Sequence, residues 1–135
     1  MIKLLIVDDS NIIRSRIERI YSASFDIEVV AKASNGKEAI YFLDEHKPDI
    51  VTMDLTMPEM DGIACIDKMM AINPKIKIIV VSALSDKATG IQALAKGARG
   101  FLCKPFSDEE LLEALEKLVK SKDRLNEKNK KDKKK

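Results

Sequence analysis

Three carboxylates, one hydroxyl and one ammonium stand out in this 135-residue chain, because each falls at the end of a short apolar run. Asp8 and Asp9 follow Ile2–Val7, Asp54 follows Ile50–Met53, Ser82 follows Ile76–Val81, and Lys104-Pro105 follow Gly100–Cys103. If these runs are parallel strands, their carboxyl ends share one edge of a sheet, and that edge is where open α/β sheets place their functional crevice. Carboxylates that meet there repel each other, so either one protonates or a cation neutralises them. An all-oxygen ligand set favours a hard ion, and a small site with room for water favours Mg²⁺ over Ca²⁺. Lys104 adds a mobile positive charge and Ser82 a hydroxyl donor. Together with the backbone N–H groups near Ala83, they would partner the anionic oxygens of a phosphoryl group on Asp54. The chemistry expected is formation and breakage of an aspartyl phosphate, with Asp54 as nucleophile. The simpler alternative is that Asp8 and Asp9 only cap the helix that follows, where negative charge is welcome. That suffices for Asp9 alone but not for three acids and a lysine on one edge.

The elements that must position these groups are legible as a rhythm. Five short, mostly β-branched segments, Ile2–Val7, Ile27–Ala31, Ile50–Met53, Ile76–Val81 and Gly100–Cys103, alternate with longer stretches of helical periodicity. Ile13, Ile17 and Ile20 form one stripe. A second helix is expected over about 36–46, with Ala39, Ile40 and Leu43 inward and Pro48 as its stop. A third is expected over about 62–72 before Asn73-Pro74, and a fourth over about 86–96, stopped by Gly97. A fifth opens on the capping box Ser107 to Glu110 and buries Leu111, Leu112, Leu115, Leu118 and Val119. Five βα units predict a three-layer, all-parallel, doubly wound sheet in the flavodoxin-like order 2-1-3-4-5. Residues 1–120 are expected to form this single domain. Residues 121–135 contain one leucine and no aromatic residue, so they are expected to be a disordered, lysine-rich tail.

Charge and composition exclude several classes. The net charge is +2, but residues 121–135 hold eight Lys/Arg against three Asp/Glu, while residues 1–120 hold sixteen against nineteen. The folded part is therefore acidic, and DNA binding by it is not expected. The apolar runs are far too short for membrane insertion, and no signal peptide is evident, so a cytoplasmic protein is expected. Cys65 and Cys103 lack metal-ligand spacing and are read as reduced thiols. No glycine-rich phosphate loop precedes a helix. His46 reads as a helix-end charge, and the methionines as packing.

The segments LLIVDDS, PDIVTMDLTMPEMDG, VVSA and GARGFLCKPF resemble the receiver domain of bacterial two-component response regulators, in order and spacing, over residues 1–120. Within that family the chain looks most like the single-domain chemotaxis response regulators. The resemblance implies phosphotransfer from a histidine kinase to Asp54. It implies metal ligation by Asp8, Asp9, Asp54 and the backbone carbonyl of Thr56. It further implies Lys104 as phosphoryl partner, Ser82 and Phe101 as switch residues, Gly62 as permitting a tight path after the loop, and a cis bond before Pro105. A signalling switch rather than a turnover enzyme follows, with self-phosphorylation and dephosphorylation only. The output would be a partner, such as a flagellar motor switch component, bound to the face of the fourth helix, fifth strand and fifth helix. Phe101 departs from the tyrosine frequent in chemotaxis members, and Ser82 from the common threonine. Small residues on that face, among them Ala88, Gly90, Ala93 and Gly97, either admit a partner helix or pack the fourth helix on the sheet. Two alternatives stand beside this reading. One is a receiver of another two-component pathway, including one cut from a DNA-binding output domain. The other is an aspartate-nucleophile phosphohydrolase. Such hydrolases typically carry a second acid two residues after the nucleophile, where this chain has Thr56.

Overall fold

A computed structural model describes residues 1–24, 26–56, 61–83 and 87–120. Residues 57–60, the expected first turn of the fourth helix at Asp86, and the whole 121–135 segment lie outside the described residues. The elements are β1 (Ile2–Val7), α1 (Asn11–Ser24), β2 (Ile27–Ala33), α2 (Gly36–His46), β3 (Ile50–Asp54), α3 (Gly62–Ile72), β4 (Lys77–Ser82), α4 (Lys87–Ala95), β5 (Gly100–Cys103) and α5 (Asp108–Lys120). The sheet order is β2-β1-β3-β4-β5 and every pairing is parallel, as the alternation of elements predicts.

The sheet divides the core in two. Successive residues of a strand point to opposite faces, so Leu4 and Ile6 join Ile17 and Tyr21 of α1 and Leu111, Leu115 and Leu118 of α5. Leu5 and Val7 instead join Leu43 of α2, Cys65, Ile66 and Met69 of α3, and Ala93 of α4. Tyr21 is fully buried, and its hydroxyl donates to the Leu111 carbonyl at 2.9 Å, tying α1 to α5.

Helix ends follow local chemistry. The Asn35 side chain caps α2 by accepting from Glu38 N–H at 2.8 Å. Asp61 caps α3 by accepting from Ile63 and Ala64. The box at α5 forms in both directions, Ser107 N–H to Glu110 Oε1 at 3.0 Å and Glu110 N–H to Ser107 Oγ at 3.1 Å. Ahead of α1 the side chain that accepts from a first-turn N–H is Ser10, whose hydroxyl accepts from Ile13 N–H at 3.3 Å. Gly97 ends α4 with φ +120°, and a Cβ there would lie 2.8 Å from the Met70 side chain.

Several strand limits differ from the sequence reading for reasons of pairing. β2 continues to Ala33 because that residue pairs with Val7. β3 continues to Asp54, which pairs with Val81. Ile76 is buried but belongs to a turn, its N–H donating to the Asn73 carbonyl at 3.1 Å. Among the described residues no helix is long and apolar enough to cross a membrane.

Candidate functional site at the carboxyl edge of the sheet

The parallel register brings the expected residues together. β1 and β4 flank β3, so Asp8, one residue past β1, Asp54, the last of β3, and Ser82, the last of β4, lie at neighbouring strand ends. Lys104 follows β5, and its N–H donates to the Ser82 carbonyl at 2.8 Å, which prolongs the β4–β5 ladder to the edge. The Lys104–Pro105 peptide bond is cis, as expected.

Asp8, Asp9 and Asp54 each offer a carboxylate oxygen, and these oxygens all lie within 4.8 Å of one another. Asp8 and Asp54 are each 1% exposed, whereas Asp9 is open to solvent. Lys104 Nζ reaches across the group, 2.8 Å from Asp8 Oδ2 and 3.4 Å from Asp54 Oδ2. The remaining oxygens are also engaged. Asp8 Oδ1 accepts from Ser10 N–H at 2.9 Å. Asp54 Oδ1 accepts from the Thr56 N–H at 2.8 Å and its hydroxyl at 2.6 Å. Asp54 Oδ2, on the Lys104 side, has the ammonium as its partner. Burial raises the Asp8 pKa above the usual carboxylate range, only partly countered by the Lys104 and Ser10 hydrogen bonds. For Lys104, burial works against the ammonium, but the bond to Asp8 and the two nearby carboxylates prevail and raise its pKa. A buried carboxyl cluster with one partial countercharge and an open side at Asp9 is a donor set that suits a hard divalent cation.

Other expected residues sit nearby in different settings. Ser82 is fully buried. Phe101 is half-buried in β5 and packs against the core on the α4 side, with Gly90 of α4 facing its ring. The contacts of Thr56 with Asp54 run through its N–H and hydroxyl, whereas the sequence expectation concerned its carbonyl. Gly62 is required for space: a Cβ would lie 2.6 Å from Leu55 Cδ2 and 3.0 Å from Leu55 Cα. Of the small residues, Ala93 and Ala98 are buried, so part of that stripe packs α4 on the sheet. Ile91 and Leu94 of α4 are instead 66% and 44% exposed. Between β5 and α5 lies a shallow cavity of about 370 Å³ lined by Phe101, Glu113 and Lys117 among others. Cys65 and Cys103 form no disulfide.

Sequence reasoning missed two arginines. Arg14 Nη1 donates to the Asp8 carbonyl at 2.5 Å, fixing the backbone that aims the carboxylate. Arg16 contacts the segment after Pro105. Their spacing on α1 signals only a polar face, and neither target is within one helical turn.

A parallel sheet in this order, with three acids and a lysine at its carboxyl edge, defines a receiver, and the chain belongs to the response regulator receiver domain family, which matches residues 4–116. It is 50% identical to the chemotaxis protein CheY of Listeria monocytogenes over 120 residues, covering 89% of this chain and all of that protein. It is 46% identical to the CheY of Thermotoga maritima, covering 87% of this chain and 98% of that one. Among solved structures, a chain of the CheX–CheY–BeF₃–Mg²⁺ complex from Borrelia burgdorferi superposes with a TM-score of 0.84 at 31% identity, over 89% of this chain and 90% of its own length.

Proposed function

We propose that the protein is a phosphorylation-activated response regulator of the chemotaxis type, with Asp54 receiving the phosphoryl group of a histidine kinase. The observation that carries this reading is the Lys104 ammonium bridging buried Asp8 and Asp54 beside a third acid. Coverage of the whole Listeria CheY at 50% identity supports chemotaxis over another two-component pathway. The hydroxyl of Thr56 on Asp54, where a hydrolase would carry a second acid, argues against turnover of small phosphate esters.

In the proposed reaction Asp54 Oδ2 forms a bond to phosphorus as the bond from phosphorus to the kinase histidine breaks. Asp8, Asp9, Asp54 and the Thr56 carbonyl would hold Mg²⁺, consistent with the cation named in the Borrelia CheX–CheY complex. When bound, the ion offsets the negative charges and orients the phosphoryl oxygens. Lys104 then exchanges its Asp54 contact for a phosphoryl oxygen. Ser82 moves toward the same group, and Phe101 turns into the space behind it. Taking an active state from 1% to 99% requires roughly 5.5 kcal/mol of differential stabilisation, within reach of a doubly charged group meeting an ammonium and a metal ion. The altered face is α4, β5 and α5, where exposed Ile91 and Leu94 offer a partner protein an apolar hold and the cavity beside Phe101 adds the charged side chains of Glu113 and Lys117. A CheX-like protein or a flagellar motor component is the class of target this reading implies, in the cytoplasm. The domain on this reading is residues 1–120, and the basic 121–135 tail takes no part in the chemistry.

Acetyl phosphate with Mg²⁺ should add one phosphoryl group to the wild type and to a chain truncated after Lys120, and none to Asp54→Asn. Intact-mass spectrometry reads the result, and equal labelling of Asp54→Asn would remove the assignment.

A further inference from the structure

We propose that Arg16 of α1 is a positioning residue for Lys104, acting through the backbone at Phe106. Arg16 makes a convergent set of contacts. Its Nε and Nη2 donate to Asp108 Oδ1 at 3.0 and 2.7 Å. Nη2 also donates to the Phe106 carbonyl at 2.8 Å. The guanidinium carbon lies 4.7 Å from the centroid of the Phe106 ring. An exposed Arg–Asp pair alone is worth little. Here one planar fork grips a carboxylate, a carbonyl and a ring face, a combination the compact lysine ammonium cannot reproduce.

What the grip holds explains its purpose. Phe106 is 5% exposed and seated in the core shared by α1 and α5. Asp108 is the first residue of α5. Lys104 is two residues upstream of Phe106, and its own N–H is fixed to the Ser82 carbonyl. The segment leaving β5 is therefore anchored at two points: on the strand side by Ser82, and on the helix side by Arg16. Between these anchors Lys104 sends its ammonium to Asp8 and Asp54. None of the Arg16 bonds described above reaches Asp8, Asp9 or Asp54, so its influence on the reaction must pass through the Lys104 backbone.

The inference rests on the reading of Asp54 as phosphoacceptor. A displacement of about 1 Å in a positioned group costs up to about 10²-fold in rate, and the flexible lysine stem absorbs part of it, so a loss of roughly tenfold is expected. The test is a double-mutant cycle on the rate of Asp54 phosphorylation by acetyl phosphate at saturating Mg²⁺. Arg16→Ala should slow the wild type about tenfold but should not slow Lys104→Ala further. Arg16→Gln, which keeps a donor for the Phe106 carbonyl, should fall between Arg16→Ala and wild type, and serves as the test if the alanine variant does not fold. Arg16→Lys should not restore the rate. Circular dichroism under the assay conditions establishes that each variant is folded. An unchanged rate in Arg16→Ala, or an equal slowing in the Lys104→Ala background, would overturn the positioning role while leaving the phosphoacceptor reading intact. Failure of the wild type to take up a phosphoryl group would overturn both.

Discussion

Removing the Lys104 ammonium should expose how much charge strain the site carries. In Lys104→Ala, Asp8 and Asp54 remain 1% exposed and lose a cation that was 2.8 and 3.4 Å away. At an effective dielectric constant of about 20 those two attractions are worth about 6 and 5 kcal/mol. Burying the ions costs several kcal/mol each, so the expected net loss is about 3–5 kcal/mol, the usual penalty for an orphaned buried charge. The pH dependence follows from the directions of the shifts. Asp8 has a raised pKa, so its contribution is fully present below its ordinary value of 3.8 and is lost as pH rises through the higher folded value. Without Lys104 that folded value climbs further, and the deficit relative to wild type widens upward from about pH 4. Lys104 in the wild type also has a raised pKa, so its own contribution is complete below 10.5 and is lost as pH rises through the folded value; there the two proteins converge. Urea unfolding in chelator at pH 4.5 and 7 measures the widening deficit, and a series carried upward from pH 10.5 measures the convergence. Mg²⁺ at about 100 times its dissociation constant should return about 2.7 kcal/mol to the variant at pH 7. A variant with the wild-type urea midpoint at pH 7 in chelator would refute the electrostatic account.

Two further substitutions test packing around the site. The Thr52 hydroxyl in central β3 is buried and has no hydrogen-bond partner among the described residues; Thr52→Val should raise stability by about 1–3 kcal/mol with an unchanged urea m-value, and a lower midpoint would contradict it. Gly62→Ala should destabilise by about 1–3 kcal/mol, because the new Cβ meets Leu55 backbone as well as side chain; thermal unfolding equal to wild type would show that the loop gives way freely.

The fold was legible because most strands are compact β-branched runs and the first, second and fifth helices carry clear stripes, so parallel pairing follows from alternation and the order from the flavodoxin-like arrangement of five βα units. Asp8, Asp54 and Lys104 were legible because strand ends in a parallel sheet converge whatever fills the helices. What escaped the sequence depends on partners far along the chain or on local backbone choice. The Thr56 hydroxyl reaches Asp54 only through a particular rotamer. Arg16 meets Phe106 and Asp108 some ninety positions away. Pro48 signalled the end of α2, but not that Lys47 would take the left-handed conformation, φ 49°, with its N–H closing on the Leu43 carbonyl. On α4 the weak separation of polar and apolar residues hid the fact that Ile91 and Leu94 face outward while Ala93 faces in.

The two thiols have a practical consequence. Cys65 is fully buried in α3, and burial pushes its pKa up to about 11, so at neutral pH only about one molecule in ten thousand carries the reactive thiolate there. Cys103 is exposed and immediately precedes Lys104. A maleimide dye added at neutral pH should therefore attach at one place without any engineering of the chain. The label would sit on the strand that carries Phe101, giving the native protein a spectroscopic handle beside the ring proposed to turn on phosphorylation.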